Sequence, residues 1–267
     1  MITVVCVYNN KQTVEHYLLK TLEQQAGNHQ LVLIDNTRGQ FSSAARALNE
    51  GARQAKGEYI MFVHQDVDLD SSTWLNDAER ILDSLGSFGV AGVAGMSEEG
   101  KNNKERGRNV IRHLEDRRVW EWANPIDRPE RVQTVDGCLF ITPKTVYDAV
   151  SLDEQTCDSW HLYDVDYCLS CEERGFEVFA IPLSIYHRST GGFFKQGKLQ
   201  IAMSLGSLPE DYYRTLSRVS RKHRRHFRKI YTTCGDYSTT FPVTLQRFWS
   251  ILKGGLRLAT NPKLWKS

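Results

Sequence analysis

The stretch Glu58–Asp70, EYIMFVHQDVDLD, joins an apolar run to a cluster of acids and one histidine. Residues 59–63 are apolar or aromatic throughout, which is typical of a strand buried on both faces of a sheet. His64, Asp66 and Asp68 follow, and the period of two in an extended chain places them on the same side. Carboxylates crowded at a strand end repel one another unless solvent, a partner or a cation neutralises them. The pattern therefore predicts a buried strand that ends in a polar site.

Strands and helices alternate on the amino-terminal side of this stretch. Residues 2–8 (ITVVCVY) and 30–36 (QLVLIDN) have the pattern of buried strands, and residues 13–25 between them carry apolar side chains at helical spacing. A second helix is predicted over 42–57, with serines in its cap region and Gly57 as its stop. Such alternation predicts an α/β fold with a mostly parallel sheet and helices on both faces. Ligands bind at the carboxyl ends of strands in such sheets.

The pattern continues on the other side of the opening stretch. An amphipathic helix is predicted over 72–85, with Asp70 as its cap, followed by a glycine-rich strand over 89–96. Residues 97–131 are polar and charged and predict a long excursion over the site. Strand and helix signals then return, and the last helix of this part is predicted to stop at Gly175.

Composition places the chain in the ordinary globular class. It has 267 residues, of which 40% are hydrophobic and 25% charged, with a formal net charge of +2. The 6 cysteines are too sparse for a disulfide-stapled secreted domain, so a reducing cytoplasm is expected. Cys168 and Cys171 form a CxxC, but no second pair accompanies it, which favours apolar helix residues over a zinc or redox site.

The sequence also bears on membranes. No signal peptide is recognised before the first strand, and no apolar run approaches the ~20 residues of a membrane span. The expected location is therefore the cytoplasm, or the inner face of the cytoplasmic membrane if the protein is peripheral.

The sequence character changes near residue 199, which predicts two units: an α/β domain over 1–198 and a basic, amphipathic helical segment over 199–267. Cations are dense over residues 214–229, and Phe248 and Trp249 lie among further basic residues. Such a segment can lie on an anionic membrane surface. Intramolecular packing and homodimerisation remain alternatives. Nucleic acid is not an expected partner, because no separate nucleic-acid module is visible.

Six motifs occur in the order found in a known family: VVCVYNN, LVLIDN, ALNEGARQAKGEYIMFVHQDVDL, VDGCLFITPK, LYDVDYCLSCEERGFEVFAIP and YHRSTGG. Residues 2–195 resemble glycosyltransferase family two, the inverting enzymes with the GT-A fold. The resemblance implies a metal-dependent enzyme that moves a sugar from a nucleoside diphosphate donor, with a UDP-sugar favoured. The implied acceptor is a hydroxyl of a glycan or lipid-linked molecule in surface polysaccharide assembly.

The resemblance also implies roles for individual residues. The nucleotide-sugar site would comprise Tyr8, Asn9, Asp35, Asn49, His64, Asp66, Asp136 and Arg188. Asp66 and His187 would hold Mn²⁺ or Mg²⁺, ions that suit such oxygen and nitrogen ligands. Asp164 matches the catalytic base, and Asp166 stays open as an alternative because the first residue of the helix is uncertain. Trp160 and His161 lie near these residues in sequence and are expected to form the acceptor side, since aromatic faces suit sugar rings.

The chain departs from the family pattern at two positions. Where many members have Asp-x-Asp, this chain has His64-Gln65-Asp66, and it thereby resembles a subgroup with His-x-Asp-Val. At the second position, Tyr163 replaces a glutamate before Asp164. These departures leave open a non-catalytic protein that binds nucleotides or sugars. A nucleotidyltransferase is a further alternative, although VYNNKQT lacks the glycines of a phosphate-binding loop. The sugar, the acceptor and the linkage remain open.

Overall fold

The computed structural model describes residues 1–113, 118–119, 123–188 and 208–260, and of 118–119 and 253–260 it describes the backbone. The described strands are β1 (Ile2–Tyr8), β2 (Gln30–Asp35), β3 (Tyr59–Val63), β4 (Val67–Leu69), β5 (Phe88–Gly92), β6 (Ala94–Met96), β7 (Gly107–Asn109), β8 (Ile111–His113), β9 (Arg118–Val119), β10 (Glu130–Arg131), β11 (Thr134–Val135), β12 (Leu139–Pro143), β13 (Glu177–Ala180), β14 (Ile185–His187), β15 (Lys229–Thr232) and β16 (Gly235–Ser238).

The first helix is continuous and contains a π-helical turn, so that α1 (Lys11–Val14) runs through Glu15–Leu19 into α2 (Lys20–Leu22). The remaining described helices are α3 (Ala44–Ala52), α4 (Trp74–Ser84), α5 (Asn103–Arg106), α6 (Lys144–Ala149), α7 (Tyr163–Glu172), α8 (Glu210–His223) and α9 (Val243–Thr260).

A large sheet forms the centre of the molecule, and its strand order in the described residues is β10-β13-β5-β12-β3-β1-β2. Strands β2, β1, β3, β5 and β13 run in one direction, while β12 and β10 run against them. The predicted α/β architecture with a mostly parallel sheet is confirmed. Its buried strands, such as Tyr59–Val63, are apolar throughout because helices cover both faces.

The register of this sheet determines where its strands end. Tyr8 pairs with Asp35, so β1 and β2 end side by side. Antiparallel β12 begins opposite the end of β3, with Leu139 paired to Val63. The residues that precede β12 therefore lie at the same edge as the residues that follow the parallel strands.

A second sheet adds β14 to this edge. Strand β14 pairs antiparallel with β4, and His187 is opposite Val67. The backbone N–H of Arg188 donates to the carbonyl of Asp66 at 2.8 Å. This pairing brings the end of the α/β part of the chain back to the stretch Glu58–Asp70.

Two local expectations about helix ends are wrong. Helix α3 has Ser43 as its N-cap, as predicted, but it ends at Ala52, well before Gly57. Asp70 does not cap α4, whose N-cap is Thr73. The Asp70 carboxylate instead lies 3.2 Å from Arg112 of β8, a long-range ion pair that has no local sequence signal. Gly175, with φ of +84°, ends the turn after α7, as predicted.

The carboxy-terminal segment packs on the α/β part over much of its described length. Tyr212, Leu216 and Val219 of α8 and Ile230 of β15 belong to the same hydrophobic core as the central sheet. The sequence predicts a wholly helical segment, but residues 229–238 form the antiparallel hairpin β15–β16, so that prediction is wrong for this part. Short strands give little periodicity, and this hairpin is held by non-local contacts, such as the Tyr231 N–H that donates to Gln133 Oε1 at 2.8 Å.

Across the described part of the chain, no helix has both the length and the hydrophobicity needed to cross a membrane.

Candidate functional site

Three side chains at the sheet edge form a group with the donor atoms of a metal site. His64, Asp66 and His187 each offer one ligand atom, and these atoms lie within 4.8 Å of one another. Nε2 of His187 is buried, has no hydrogen-bond partner among the described residues, and lies 3.3 Å from Oδ1 of Asp66. Strand β14 carries His187 to this place through its pairing with β4. A buried ring nitrogen that has no hydrogen-bond partner and lies close to a carboxylate suits the ligand set of a divalent cation.

The charge state of these residues suits a divalent cation. Burial alone would raise the pKa of Asp66, but the neighbouring His187 and His64 favour the carboxylate, and the net pKa is lowered. The protein packed around the His64 ring, together with His187, lowers the pKa of His64. The carboxylate of Asp66 and the neutral imidazole of His64 are forms that ligate metals.

Tyr163 connects this group to the residues before β12. Its hydroxyl lies 3.2 Å from Nε2 of His64 and donates to the carbonyl of Gly137 at 3.2 Å. The family motif has a glutamate at this position, and the sequence comparison indicated only that it is replaced. The structure places the tyrosine hydroxyl between the His64 ring and the Gly137 carbonyl.

Asp136 lies at the same edge and is held from two sides. Its Oδ1 accepts from the backbone N–H of Cys138 at 3.0 Å, and its Oδ2 accepts from the hydroxyl of Thr233 at 3.0 Å. Burial opposes ionisation, yet the Cys138 N–H and the nearby histidines lower the pKa of Asp136. Thr233 belongs to the turn of the β15–β16 hairpin. Its role in the site could not be predicted, because only tertiary packing brings the hairpin there.

Asp164 lies in the first turn of α7 and faces Asp136. Burial and, second, the charge of Asp136 raise the pKa of Asp164 to about 7. Such a carboxyl can accept a proton near neutral pH, which is the property of a general base. Leu162, immediately before α7, has φ of 62°, a conformation that non-glycine residues rarely adopt. Backbone strain of this kind is concentrated at functional sites.

Asp166, the alternative base, is separated from this group. Its carboxylate is 2% exposed and is bonded to Lys222 and His223 of α8. Positions 164 and 166 lie about 200° apart around a helix, so their side chains point to opposite sides. The structure therefore brings Asp164, and not Asp166, to the sheet edge.

The strand ends of β1 and β2 carry the residues predicted to bind the nucleotide. Asp35 is exposed, and the backbone N–H and hydroxyl of Thr37 donate to it at 2.8 and 2.7 Å. The Thr37 backbone N–H is the main cause of the lowered pKa of Asp35, and a hydrogen bond from Tyr8 contributes. Asp35 thus presents an ionised carboxylate to solvent beside Tyr8.

Asn9 is tied to the end of β3 by a residue to which the sequence assigned no role. Gln65 Oε1 accepts from the backbone N–H groups of Asn9 and Asn10 at 3.1 and 3.0 Å, and Gln65 Nε2 donates to Asn9 Oδ1 at 2.7 Å. Gln65 lies between two residues predicted to bind the nucleotide sugar, and this position is the feature of the sequence that could have indicated its role.

Asn49 does not join these residues. Its amide nitrogen donates to the carbonyl of Leu152 at 3.0 Å and to Glu154 at 2.8 Å, and its oxygen accepts from Tyr147. The predicted nucleotide contact is therefore corrected: Asn49 is a buried residue that holds α3 against the chain around residue 152. Its donors and acceptor are already used inside the protein.

Arg188 follows β14, and the predicted acceptor-side pair precedes α7. Arg188 donates from Nε and Nη2 to Asp68 Oδ2 at 2.7 and 2.5 Å, with its guanidinium 4.2 Å from the centre of the Tyr186 ring. Trp160 is 43% exposed, and His161 lies 3.7 Å from Asp211. Leu162 separates Trp160 and His161 from the start of α7. Their predicted contacts with ligands stay predictions.

The CxxC cysteines lie elsewhere and are buried within α7. Burial raises the pKa of the thiols of Cys168 and Cys171. Their positions agree with the interpretation that they pack the helix against the sheet.

Comparisons with known proteins identify the family. The sequence model of a glycosyltransferase-like family matches residues 2–187. A protein of Fuscovulum blasticum called ATP synthase subunits region ORF 6 is 26% identical over 181 residues, or 65% of this chain and 63% of that protein. The chain thus matches less than two thirds of the length of that relative. The relative's name gives the position of its gene and no activity.

Solved structures show the same fold. The mannosyltransferase PcManGT from Pyrobaculum calidifontis, in complex with GDP-Man and Mn²⁺, has a TM-score of 0.57 at 12% identity, over 97% of this chain and 74% of that one. GalNAc-T7 with UDP, GalNAc and Mn²⁺ has a TM-score of 0.53 at 12% identity, over 82% of this chain and 50% of that one. These likenesses confirm the predicted GT-A fold. Because the family match spans most of the chain, the protein belongs to this glycosyltransferase-like family, and it has the GT-A fold.

Proposed function

We propose that this glycosyltransferase transfers a sugar, with inversion, from a nucleoside diphosphate sugar to a hydroxyl of a glycan or lipid-linked acceptor. The observation that carries the proposal is the position of Asp164, with a pKa of about 7, at the same sheet edge as the His64–Asp66–His187 group. A base and a cation site are what an inverting transfer with a diphosphate leaving group requires. The donor we propose first is a UDP-sugar, and the assembly of a surface polysaccharide is the proposed context.

The ends of β1 and β2 are the proposed nucleotide site. Asp35 is exposed and ionised, which suits acceptance of a hydrogen bond from a nucleobase N–H. The Tyr8 ring lies beside it and supplies an aromatic face. TarS of S. aureus, whose complex with UDP-GlcNAc has a TM-score of 0.50 at 14% identity over 82% of this chain and 65% of that one, is a neighbour that binds a uridine nucleotide.

The His64–Asp66–His187 group is the proposed metal site, with Mn²⁺ favoured over Mg²⁺. Two imidazoles and one carboxylate suit Mn²⁺ better than Mg²⁺, which prefers oxygen ligands. The buried Nε2 of His187, which has no hydrogen-bond partner among the described residues, is suited to ligate this cation. When bound, the cation would neutralise the charge that develops on the departing diphosphate.

Asp164 is the proposed general base. The acceptor hydroxyl oxygen attacks the anomeric carbon, its proton passes to the Asp164 carboxylate, and the bond from that carbon to the diphosphate oxygen breaks with its electron pair on the oxygen. Attack opposite the leaving group inverts the configuration. Asp136 raises the pKa of Asp164, which improves proton acceptance near neutral pH.

Helix α9 is the proposed contact with an anionic membrane surface. Residues 243–267 contain Arg247, Lys253, Arg257, Lys263 and Lys266 and no acid. One side of the helix is fixed to the domain, because Gln246 donates to Ser238 and Arg247 pairs with Glu210. On the exposed side, Trp249 is 60% and Phe248 55% accessible. Apolar side chains among cations suit the headgroup region of an anionic leaflet, and we propose the inner face of the cytoplasmic membrane.

Calorimetric titration of the purified protein with UDP, with and without Mn²⁺, tests the proposal. We expect binding that requires Mn²⁺ and that Asp66→Ala removes. A panel of UDP-sugars is then assayed for UDP release in the presence of sugar and polyprenol-linked acceptors. Binding without turnover of any donor would favour a non-catalytic GT-A protein, and absence of UDP binding both with and without Mn²⁺ would reject the UDP assignment. Release of pyrophosphate from a nucleoside triphosphate would instead support the nucleotidyltransferase alternative.

A further inference from the structure

Helix α8 carries a charged cluster that is bonded to the helix bearing Asp164. His223, 0% exposed, lies with Nε2 2.9 Å from Oδ1 of Asp166 and Nδ1 2.7 Å from Oε1 of Glu173. Asp166 is in the first turn of α7, and Glu173 is its C-cap residue. One imidazole therefore joins the two ends of α7.

The neighbouring lysine extends this cluster to the loop before α7. Lys222 Nζ donates to Oδ2 of Asp166 at 2.7 Å and to Oδ2 of Asp153 at 3.0 Å. Asp153 also accepts from the backbone N–H groups of Gln155 and Thr156. Both oxygens of Asp166 are thus occupied by cationic or donor groups of α8. The first turn of α7 is held by side chains on the face opposite Asp164.

Buried ionic hydrogen bonds between two helices restrain the rotation of each helix about its axis. A buried carboxylate that loses its partners is strongly unfavourable, so Asp166 must keep its direction toward α8. Because Asp164 is two residues away on the same turn, rotation of Asp166 away from α8 would move Asp164 relative to Gly137 and Asp136. The strained backbone of Leu162 immediately before the helix requires such a restraint.

We propose that Asp166 and His223, supported by Lys222, form a positioning lock that holds the first turn of α7 so that Asp164 faces the transferred proton. The lock assigns a role in the reaction to a helix outside the 2–187 family match. It rests on the proposed function of Asp164 as base. Neither residue touches the substrate in this proposal, and both act through α7.

The variant that tests the lock is Asp166→Asn, which keeps the shape of the side chain and removes its charge. For the UDP-sugar that is turned over, we expect kcat to fall at least tenfold, because a small displacement of a catalytic group is costly. KM for the donor and the affinity for UDP with Mn²⁺ should stay within twofold, since those sites lie on β1, β2 and β3. Rates are expressed per mole of UDP-binding sites, so unfolded protein does not contribute.

A double-mutant cycle separates positioning from general structural damage. In an Asp164→Asn background, Asp166→Asn should cause no further loss of the residual rate, because the group that it positions is already absent. His223→Gln should resemble Asp166→Asn, and the pair combined should be no worse than either. Glu210→Gln, which breaks an exposed ion pair of the same helix with Arg247, is the matched control and should keep the kcat of the parent protein.

The outcomes distinguish the lock from the proposed function. An unchanged kcat in Asp166→Asn, with Asp164→Asn inactive, would overturn the lock and leave the base in place. Losses that multiply in the double variant would also overturn it. Full activity of Asp164→Asn would reject the base itself, and with it the premise of the lock.

Discussion

The Asp164 carboxylate lies so close to Gly137 that a Cβ atom at position 137 would be 3.0 Å from Oδ2 of Asp164 and 2.9 Å from the Tyr163 hydroxyl. Glycine at this position is therefore required for space, and not for an unusual backbone angle. The close contact lets the loop before β12 and the first turn of α7 form one wall of the site. It also gives a sensitive test of that wall.

We expect Gly137→Ala to reduce transfer at least tenfold while UDP binding is retained. The added methyl group must displace Asp164 or Tyr163, and overpacking of this kind also costs ~1–3 kcal/mol of stability. Steady-state kinetics and a calorimetric UDP titration measure the two effects. The control for the loss of stability alone is Gly57→Ala, because a Cβ atom at position 57 would crowd Met1 and Thr3 at the start of β1, far from α7. Equal loss of kcat in both variants would show that the effect is not local to Asp164.

His187→Ala should weaken Mn²⁺-dependent UDP binding at least tenfold. The variant removes a ligand atom from the His64–Asp66–His187 group, whose atoms lie within 4.8 Å of one another. Calorimetry at a fixed UDP concentration with increasing Mn²⁺ measures the loss. His226→Ala, an exposed histidine after α8, is the matched control. Unchanged Mn²⁺ dependence in His187→Ala would remove that residue from the metal site.

The pH dependence of transfer should report the ionisation of Asp164. The base acts as a carboxylate, and its pKa is about 7, so kcat should rise with pH and level off above neutrality. Asp136→Asn removes a neighbouring negative charge, which favours ionisation of Asp164, and should shift the rising limb to lower pH. Rate profiles at saturating donor and Mn²⁺ measure the limb. A limb that does not move in Asp136→Asn would contradict the coupling of the two carboxyl groups.

Asp35→Asn should weaken UDP binding about tenfold, since hydrogen bonds to charged groups contribute ~1.5–3 kcal/mol. The exposed Asp35 carboxylate is held by Thr37 and forms no ion pair with another described residue that the substitution would leave buried and unpaired. Titration with UDP and with ADP separates loss of base recognition from general damage. Thr37→Val, which removes the hydroxyl bond but keeps the carboxylate, should have the smaller effect. An equal affinity of Asp35→Asn and the parent protein for UDP would exclude a contact with the nucleobase.

Trp249→Glu should reduce binding to vesicles that contain phosphatidylglycerol by about tenfold, which corresponds to ~1.4 kcal/mol. The substitution places an acid on the exposed apolar side of α9, among cations and with no other acid in 243–267. Co-flotation with anionic and with neutral vesicles measures partitioning. Leu31→Glu, at an exposed apolar position of β2, is the control. If Trp249→Glu instead changed a dimer into a monomer without affecting flotation, the face would be a contact between copies of the chain.

Local sequence patterns predicted most of the central sheet. The strands of 2–8, 30–35 and 59–63 are recognisable because a strand buried on both faces must be apolar throughout. The ends of helices were less predictable. Asp70 resembled a cap, but it pairs with Arg112, whose position depends on the second sheet. The hairpin β15–β16 gave little signal because its strands are short and its partners are distant in sequence.

The sequence by itself determined the fold class, the polar edge of the sheet and the identity of the residues at the strand ends, since these follow from hydrophobic periodicity and the order of strands. Only the tertiary structure decided which of two nearby aspartates faces that edge, because a rotation of about 100° per residue separates them and the partners of Asp166 come from α8. The same holds for Asn49, which is bonded to the chain around residue 152, and for Thr233, which is brought to Asp136 by a hairpin. These positions depend on contacts between segments far apart in the chain, and local periodicity carries no information about such contacts.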